Sequence, residues 1–474
     1  MPDTLPPYPA YKESGMPWLG RIPAHWTQKP GRACYREKQV PNTGLKETTV
    51  LSLSYGQIVV KPPEKLHGLV PASFETYQIV DPGDIIVRPT DLQNDWNSLR
   101  FGLSRHRGII TSAYMCFHTE DVMTREYGHL LLHTYDLKKV FYGLGSGLRQ
   151  NLDWRDFKYL PCVVPPPDEQ HAITRYLDHM DRRIRRYVRA KQRLIALLEE
   201  QKRAIIHQAV TRGLDPTVRL KPSGVAWLGD VPEHWDVRQI GHLARVGNGS
   251  TPSRGNSAYW SGGVYPWLNS SYANQSRVTE ADQFVTDTAL RECHLPIVPP
   301  GSVLVAITGQ GKTRGKAALL RIEATINQHL AYIAPKTSVT SGEYVQLALS
   351  GAYTQLRAIS DDSGSTKGAL TCNDLKHFKL AFPPLIEQET ILTAVDTSTG
   401  MLDTVIDRTQ REIALLHEYR TRLIADVVTG QVDVRAAAGL PEEAEETDAL
   451  EEAEALDEEE PGEEQIDVDE ETEA

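Results

Sequence analysis

SGMPWLGRIPAHW at residues 14–26 returns 209 residues later as SGVAWLGDVPEHW at residues 223–235. Further along the chain the offset becomes 218, and the stretch Pro165–Gln170 matches Pro383–Gln388. A period this long indicates a duplicated domain rather than a solenoid of short repeats. The second copy therefore carries nine additional residues, which we place in the Gly- and Ser-rich stretch Gly247–Gly263.

Each copy continues into a predicted long helix with a hydrophobic seam. Apolar residues after Pro167 step by alternating four and three residues, which is the heptad pattern of a coiled coil, and the register returns at an offset of 218. The strict heptad also places Tyr187 and Val405 in the seam, and Gly213 and Gly430 stand where the helices are expected to stop. Polar residues interrupt both seams, so we expect the two helices to pair with each other within one chain. The seam residues assigned to this pairing are Ile173, Leu177, Ile184, Leu198 and Ile205 in the first helix and Ile391, Val395, Leu402, Leu416 and Leu423 in the second.

The segments between the helices have a different pattern. Short β-like runs such as Ile85–Val87, Val303–Val305 and Ala331–Ile333 alternate with Gly, Pro and Ser turns. We therefore predict a compact α+β module before each helix, with a pseudo-twofold relation between the halves. The sequence shows no membrane span and no signal peptide, which favours a cytoplasmic protein. The five cysteines are scattered without a CxxC pair, which argues against disulfides and a zinc site.

Charge is distributed unevenly along the chain. From Pro441 to Ala474 there are 19 acidic residues and no Lys or Arg, which leaves 44 of the 63 acidic residues against 51 basic ones in the rest. The body is therefore basic although the whole chain has a net charge of −12. We expect the acidic segment to be disordered, because it cannot bury enough apolar surface to fold. It is either a solubilising tail or a competitor of nucleic acid for the basic body.

The stretch Ala306–Thr313 is the sharpest local motif. It follows a strand-like run and fits a permissive phosphate-loop pattern. A phosphate loop runs into a helix, whereas Ala317–Ile322 has the pattern of a returning strand, so we expect a basic hairpin instead. The sequence has no HExxH, GxSxG, Cys/His cluster or kinase signature, so it nominates no catalytic residue and no metal ligand. His25 and His234, beside the repeated tryptophans, are typical of packed, hydrogen-bonded residues.

Two glycine turns carry one cation each, Arg149 in the first copy and Lys367 in the second. A small backbone with a Lys or Arg suits close approach to a phosphate, although a plain turn with a solvated charge remains an alternative. The first helix is also rich in arginine between Arg182 and Arg193. These arginines either lie across a nucleic-acid backbone or face water and pair with the more acidic second helix.

Together these features resemble the specificity subunits of Type I restriction-modification systems. The resemblance rests on the repeated SG…WLG…P…HW opening and the Pro-Pro…Glu-Gln start of each helix, and it covers residues 14–430. It implies an α+β fold in which two target-recognition domains are separated by two long helices that pair as an antiparallel coiled coil. The predicted parts are target-recognition domains at 1–164 and 214–382, helical spacers at 165–213 and 383–430, and an acidic disordered tail at 431–474.

The resemblance also implies a function. Members of this family are expected to be non-catalytic subunits that read a split double-stranded DNA target, one half-site per domain. They direct two methyltransferase subunits and two restriction subunits, the motor-nucleases, to that target. No cofactor is expected on this chain, because S-adenosylmethionine, ATP and Mg²⁺ would be bound by the partner subunits. The seam from Ile173 to Ile205 agrees with a split target, since it spans about 48 Å at ~1.5 Å per residue, which is somewhat more than one turn of DNA.

Candidates for DNA contact come from polar loops that differ between the copies. Arg, Lys and Asn side chains are the types that read base edges, although one sequence does not separate base contacts from phosphate contacts. The candidates are Arg88, Arg105, Arg107 and Arg149 in the first copy and Asn269, Ser270, Lys312, Arg314 and Lys367 in the second. Two other functions stay open at this point. One is a DNA-independent scaffold or inactive orphan subunit, and the other is a nucleotide-binding protein that uses the Lys312 loop.

Overall fold

The computed structural model describes residues 5–62, 73–96, 99–144, 151–308, 312–361 and 368–437. These residues form two compact units. Unit 1 comprises the described residues of Met1–Lys191 and Arg411–Glu452, and unit 2 comprises those of Gln192–Gln410. Each unit therefore contains a part of both long helices of the chain. Each is a mixed α/β structure, as the sequence predicts at this coarse level.

Unit 1 is built around a four-stranded antiparallel sheet. The strands of unit 1 as a whole are β1 (Tyr11–Glu13), β2 (Arg21–Pro23), β3 (Thr27–Pro30), β4 (Tyr35–Glu37), β5 (Leu51–Ser54), β6 (Gln57–Val60), β7 (Gln78–Val80), β8 (Ile85–Val87), β9 (Phe101–Leu103), β10 (Gly108–Ile110), β11 (Met115–Thr119) and β12 (Pro161–Val164). The central sheet has the order β4-β11-β8-β9. All three residues of β8 are fully buried, because a strand inside a covered sheet is apolar on both faces.

The helices of unit 1 cover this sheet and continue into the first long helix. They are α1 (Arg125–Leu137), α2 (Trp154–Lys158) and the first part of α3 (Pro167–Arg212), with 3₁₀ turns at Gly31–Ala33, Phe74–Thr76, Val140–Gly143 and Arg435–Ala437. The Thr124 side chain accepts a hydrogen bond from the Tyr127 N–H at the start of α1, which satisfies a free donor of the first turn. Tyr127, Leu131 and Tyr135 then lie one helical turn apart and are all fully buried in the core.

Unit 2 has a five-stranded sheet of related topology. The strands of unit 2 as a whole are β13 (Leu220–Pro222), β14 (Asp230–Pro232), β15 (Asp236–Gln239), β16 (Ala244–Asn248), β17 (Tyr265–Leu268), β18 (Arg277–Val278), β19 (Gln283–Val285), β20 (Val303–Ala306), β21 (Ala317–Leu320), β22 (Thr325–Ile326), β23 (Leu330–Pro335) and β24 (Lys379–Phe382). Its helices are α4 (Ile240–Leu243), α5 (Ser257–Trp260), α6 (Asp287–Glu292), α7 (Gly342–Gly351), α8 (Tyr353–Asp361), α9 (Cys372–His377) and α10 (Leu385–Val428), with a 3₁₀ turn at Ser270–Asn274.

The two central sheets share a strand order. In unit 2 the order is β16-β23-β20-β21-β18. In its first four strands, as in β4-β11-β8-β9 of unit 1, the earliest strand along the chain lies beside the latest one, and the two intermediate strands follow. The predicted strands at 85–87, 303–305 and 331–333 are confirmed as β8, β20 and part of β23. The last strand of the larger sheet, β18, pairs in parallel with β21, and a separate three-stranded sheet has the order β19-β17-β22.

The long helices begin after a proline run and end at glycines. α3 ends at Arg212 and α10 at Val428, and the expected stops Gly213 and Gly430 have φ of 74° and 75°, the left-handed conformation that glycine adopts most easily.

The two long helices are antiparallel within each unit. In unit 1 Arg420 pairs with Asp181 and Lys191 Nζ lies 2.5 Å from Glu412 Oε2. In unit 2 Lys202 Nζ lies 2.5 Å from Asp403 Oδ1. A Cβ on Gly213, just after α3, would also lie 3.6 Å from Glu387 Oε1 at the start of α10. Within each unit the partner's residue number on α10 falls as the residue number rises along α3, so the two helices run in opposite directions.

The strict heptad predicted for these helices is wrong in its later positions. Ile173, Leu177, Ile184, Ile391 and Val395 are buried as predicted, whereas Leu198, Ile205, Leu402, Leu416 and Leu423 are only half-buried. Two further predicted seam residues, Tyr187 and Val405, are 52% and 42% exposed, while the residues after them, Val188 and Ile406, are each 8% exposed. An α-helix has 3.6 residues per turn, so positions that repeat every 3.5 residues drift around the surface of a straight helix. The buried positions are therefore displaced by one residue, from 187 to 188 and from 405 to 406.

The predicted start of the tail at residue 431 is also wrong. Val434 is fully buried in the unit 1 core, and the Asp433 N–H donates to the Pro6 carbonyl at 2.9 Å. The apolar residues Val432 and Val434 give this short segment enough surface to pack, so the folded part reaches at least residue 437. The strongly acidic stretch from Pro441 lies outside the described residues. No helix among the described residues is long and apolar enough to span a membrane.

Candidate nucleic-acid interface

The repeated tryptophan motif of unit 1 fastens the start of α3 to its module. Glu169, in the first turn of α3, accepts hydrogen bonds from Trp26 Nε1 at 2.8 Å and contacts His25 Nε2 at 2.6 Å. The same carboxylate lies 3.3 Å from the Tyr8 hydroxyl and 3.7 Å from Arg435 Nη1. The Glu169 side chain is only 9% exposed, and Trp26 is fully buried, so this is a structural carboxylate held by four neighbours.

Unit 2 has the corresponding contacts at the start of α10. Glu387 accepts from Trp235 Nε1 at 3.0 Å and contacts His234 Nε2 at 2.7 Å. Here the Glu387 side chain is 31% exposed. The expectation that His25 and His234 are hydrogen-bonded is confirmed in both units. The expected packing is wrong, because the two side chains are 40% and 47% exposed.

The helix ends complete these anchors with the opposite helix. In unit 1 a Cβ on Gly430, after the end of α10, would lie 2.4 Å from Pro23 and 3.0 Å from the Trp26 ring. In unit 2 a Cβ on Gly213, after the end of α3, would lie 3.2 Å from the Trp235 ring. Each tryptophan therefore packs between the first turn of one long helix and the terminal glycine of the other, which fixes both helices to the module that carries the candidate loops.

The candidate loop of unit 1, residues 88–100, is braced by a buried arginine. Arg100 is fully buried, and its guanidinium donates to the carbonyl oxygens of Thr90 and Asp95, each at 2.6 Å. Its backbone N–H donates to Asp136 Oδ2 at 3.0 Å, and burial raises the pKa of the Asp136 carboxyl. A buried guanidinium that donates hydrogen bonds to loop carbonyls restricts the backbone to one conformation, and binding surfaces need such rigid support.

The arginine candidates of unit 1 are divided between two places. Arg88 follows β8 at one end of the β8–β9 hairpin, and its Nη1 lies 3.2 Å from Asp95 Oδ2. Arg105 and Arg107 are exposed in the turn after β9, at the opposite end of the hairpin. Arg107 pairs with Asp81 and lies 3.5 Å from Glu47. A hydrogen bond from Lys38 lowers the pKa of Asp81, and Arg107 lowers it further, so Asp81 is ionised beside Arg107.

The candidates of unit 2 converge more closely. Asn269 follows β17 and accepts from the Ser271 N–H at 3.0 Å, which starts the 3₁₀ turn that includes Ser270 and Asn274. Asn274 Oδ1 accepts from Thr313 Oγ1 at 3.1 Å and from Lys316 Nζ at 3.0 Å. The turn is thereby fastened to the β20–β21 loop, in which Lys312 is exposed.

Arg314 occupies a different environment from the one that a DNA contact needs. Its side chain is 4% exposed and pairs with Asp361, and its Nη1 donates to the Gly368 carbonyl at 2.6 Å. This placement favours a structural role for Arg314 beneath the loop. Two other candidates, Arg149 and Lys367, lie outside the described residues, as do residues 309–311 of the phosphate-loop-like motif.

The strand predicted after that motif is confirmed. β21 runs antiparallel to β20, with Val305 opposite Ala317 and Val303 opposite Leu319. A phosphate-binding loop presents the N–H groups of a following helix to the phosphates, and a hairpin has no such helix. The geometry therefore gives no support to nucleotide binding at Lys312. No cluster of three potential metal ligands occurs among the described residues.

Two residues that shape the candidate loop of unit 1 were missed by sequence reasoning. Arg100 carries no motif that distinguishes a buried arginine from an exposed one, so no signal in the sequence marks it. Trp96 is 52% exposed on the same loop and lies against Tyr142, with 4.6 Å between the ring centroids. A tryptophan in a polar loop is itself a signal, because exposed aromatic side chains are concentrated at binding surfaces.

Comparison with known proteins finds similarity in part of the chain. The profile described as Type I restriction modification DNA specificity domain matches residues 232–413. The specificity subunit of the Type I restriction enzyme MjaIX from Methanocaldococcus jannaschii is 30% identical over 200 residues, which are 41% of this chain and 44% of that protein. The match thus spans less than half of that relative. A Type I restriction enzyme specificity subunit from Escherichia coli is 20% identical over 289 residues, 59% of this chain and 67% of that one.

A solved structure agrees at the level of the fold. A chain from a study of the complex assembly and conformational transition of the Type I R-M system superposes with a TM-score of 0.62 at 15% identity, covering 87% of this chain and 99% of that chain. The profile match, the two relatives and this shared fold agree with the resemblance carried by the repeated motifs. Residues 232–413 of this chain therefore match the Type I restriction modification DNA specificity domain.

Proposed function

We propose that this chain is the DNA-recognition subunit of a Type I restriction-modification enzyme and that each unit reads one half of a bipartite target. The observation that carries the proposal is the polar surface of unit 2, where Asn274 joins the turn containing Asn269 and Ser270 to the loop containing Lys312. Amide, hydroxyl and ammonium groups on adjacent segments of a rigid sheet are the donors and acceptors that read base edges and bind phosphates.

The two half-sites are proposed to differ in sequence. The units share their sheet order and helix anchors, yet the loop of unit 1 presents Arg88 and Trp96, whereas unit 2 presents Asn269 and Lys312 on a different loop structure. Different side chains on a common framework select different bases. The antiparallel pairing of α3 and α10, proposed to form one coiled coil, would set the spacer between the half-sites.

Part of α10 offers a surface for the proposed methyltransferase subunits. Ile386 is 80% exposed and lines an open groove of about 650 Å³ along the helix. Met401, further along the same helix, is 73% exposed. Thr390 and Thr393 line this groove, and their hydroxyls donate to carbonyls of their own helix, each at 2.9 Å. The face therefore presents methyl groups and few charges, which suits burial against another protein.

The catalytic chemistry is proposed to belong to the partners. Two methyltransferase subunits would bind S-adenosylmethionine, and two restriction subunits would bind ATP and Mg²⁺. This chain would contribute position only, as a non-catalytic subunit of a cytoplasmic complex. Its own side chains orient the DNA and hold the partners on it.

Methylation of genomic DNA tests the proposal directly. The chain is produced with the methyltransferase subunit encoded beside it, copurification verifies the complex, and modified adenines are mapped by sequencing. We expect a bipartite methylated motif that is absent from cells lacking this chain. A verified complex that methylates no new motif would contradict DNA recognition and favour a scaffold or an inactive subunit.

A module exchange tests the assignment of one half-site to each unit. Residues 236–382 are replaced by the corresponding module of another family member, with both helices kept. We expect only one half of the methylated motif to change, since the other module is untouched. A change in both halves would show that the units do not read independently.

A further inference from the structure

The segment 249–263, which contains most of the nine additional residues of the second copy, is built into unit 2 by two close backbone approaches. A Cβ on Gly249 would lie 1.7 Å from the Ile326 carbonyl oxygen, and a Cβ on Gly263 would lie 2.7 Å from the Phe284 backbone. Only glycine permits such contacts. The two ends of the segment are therefore fixed on β22 and β19, the strands on either side of β17, and the residues between them have a defined position.

Two tryptophans form a corner beneath this segment. Trp267 of β17 is 2% exposed, and Trp260 at the end of α5 stands nearly perpendicular to it, with ring centroids 5.2 Å apart. The indole N–H of Trp267 donates to the Ser250 carbonyl at 3.2 Å, and that of Trp260 donates to the Ser253 carbonyl at 3.1 Å. The polar edges of both rings are satisfied, which leaves their faces for a cation.

Arg254 occupies that corner. Its Cζ lies 3.9 Å from the Trp260 ring centroid and 4.9 Å from that of Trp267, and its Nη2 donates to Gln283 Oε1 at 2.9 Å. Arg254 is nevertheless exposed. Stacking on indoles removes most of the rotamer freedom of a long side chain before any ligand arrives, so less entropy is lost on binding.

The charge of Arg254 is not neutralised by the part of the chain that the structure describes. Arg88, Arg107 and Arg238 each have a carboxylate partner, whereas the contacts of Arg254 are two aromatic faces and an amide. A guanidinium has five N–H donors, and only one of them is used by Gln283. An exposed, rigid and uncompensated guanidinium has donors free for an acceptor pair.

Arg254 belongs to the same surface as the candidates of unit 2. Thr251 Oγ1 donates to Gln328 Oε1 at 2.5 Å, and Gln328 Nε2 lies 3.2 Å from His329 Nε2. His329 Nδ1 in turn lies 2.6 Å from Thr308 Oγ1, so polar contacts connect the inserted segment to the β20–β21 loop. β17 also carries Trp267 two residues before Asn269.

We infer that Arg254 reads a guanine in the half-site recognised by unit 2, and that Trp260, Trp267 and Gln283 are positioning residues for its guanidinium. Guanine presents O6 and N7 as an acceptor pair in the major groove, and the arginine fork matches both. The inference rests on the proposed function and deepens it. It also gives a role to the stretch in which the sequence analysis places the additional residues of the second copy.

The test compares Arg254→Ala and Arg254→Lys with the control Arg238→Ala, an exposed arginine of the same unit that pairs with Asp236. Each full chain is assembled with the methyltransferase subunit, and methylated motifs and affinities for duplexes with single base changes are measured. We expect both Arg254 variants to lose discrimination at one G·C pair by about 10- to 100-fold, because neither forms the bidentate contact. Arg238→Ala should keep the wild-type motif.

Each other outcome is decisive. Equal weakening on all sequences, with a salt slope lower by about one, identifies a phosphate contact and overturns the guanine assignment. An unchanged motif in a complex of unchanged thermal stability shows that Arg254 has no contact with DNA. If Arg254→Ala fails to assemble, Arg254→Lys decides, because it retains the cation over the indoles. A wild-type complex without any motif contradicts the proposed function itself, which is a different result.

Discussion

Unit 1 and unit 2 use the same contacts to hold the long helices but different residues to shape their candidate DNA-binding loops. Glu169 and Glu387 each bind a tryptophan and a histidine of the repeated motif. Arg100 donates to carbonyl oxygens of its own loop in unit 1, whereas Arg314 ties the β20–β21 loop of unit 2 to Asp361 and the Gly368 carbonyl. The two units thus share the contacts that fix the long helices and differ in the contacts that shape their candidate loops.

This difference separates two constraints on the chain. A carboxylate in the first turn of a helix is favourable wherever that helix begins beside an indole N–H, because it accepts the hydrogen bond and interacts with the helix dipole. A loop brace has no fixed place, since any buried guanidinium within reach of enough carbonyl oxygens stabilises the loop. Repeated sequence motifs therefore identify the contacts that hold the long helices. The residues that stabilise the loops are found only by comparing the three-dimensional structures of the two units.

The largest loss of stability is expected from substituting Glu169, the more buried of the two carboxylates that anchor the long helices. Glu169→Ala leaves the buried Trp26 N–H without a partner, which costs roughly 1–3 kcal/mol for each buried polar group that stays unpaired. Glu387 is more exposed than Glu169, so water can replace it at Trp235. We expect Glu169→Ala to lower the free energy of unfolding by about 3 kcal/mol and Glu387→Ala by about 1 kcal/mol.

Urea denaturation of the full chain measures these losses, and hydrogen exchange at residues 22–30 and 231–239 assigns each loss to its unit. Asp168→Ala is a matched control, because Asp168 is exposed in the same helical turn as Glu169. It should change the free energy of unfolding by less than about 1 kcal/mol. Equal losses for Glu169→Ala and Glu387→Ala would mean that burial of the carboxylate does not decide its contribution.

The sequence predicts the parts of this molecule that depend on local pattern. The two copies, the apolar strands and the helix stops at Gly213 and Gly430 all follow from repetition, from burial on both faces of a sheet, or from backbone conformation. Arg314 shows where such reasoning ends. An arginine in a polar loop reads as exposed, and only the positions of Asp361 and the Gly368 carbonyl, both distant in sequence, reveal that it is buried.

The helix seam tests whether the same drift from the heptad operates in both units. Val188→Ala in unit 1 and Ile406→Ala in unit 2 remove buried side chains, so we expect each to lower the free energy of unfolding by about 1–3 kcal/mol. Tyr187→Ala and Val405→Ala alter the exposed neighbours that a strict heptad would bury, and each should cost less than about 0.5 kcal/mol. Thermal and urea denaturation of the four variants measure the ranking.

The opposite ranking of stability losses would contradict the displaced seam. If Tyr187→Ala and Val405→Ala prove more destabilising than their neighbours, the helices pair with 3.5-residue periodicity in solution. Agreement in one unit alone would mean that the two halves of the helix pair pack differently. Residues 187 and 405, like 188 and 406, differ by the offset of 218 that relates the copies, so each substitution in one unit serves as the matched control for the other.

The smallest expected effect concerns the response of unit 1 to pH. His129 and His133 lie one turn apart on α1 with their rings stacked 6.0 Å apart. Burial lowers the pKa of His129 to about 4, and burial together with the nearby His129 and Arg420 lowers the pKa of His133 to about 3. Both histidines therefore stay neutral in the folded unit at pH values where they would be protonated in the unfolded chain.

The sign of the effect follows from proton uptake. An unfolded histidine binds its proton near pH 6.5, whereas these two do so in the folded unit only near pH 4 or below. Between these values the unfolded chain binds more protons, so stability falls as the pH drops from about 6.5 toward 4. We expect the melting temperature of His129→Gln/His133→Gln to decline less between pH 7 and pH 5 than that of the wild type. His242→Gln, at an exposed histidine of unit 2, should keep the wild-type slope, because its imidazole is solvated in both states. A double variant that retains the wild-type slope would show that the pair is hydrated in solution and that α1 does not couple unit 1 to pH.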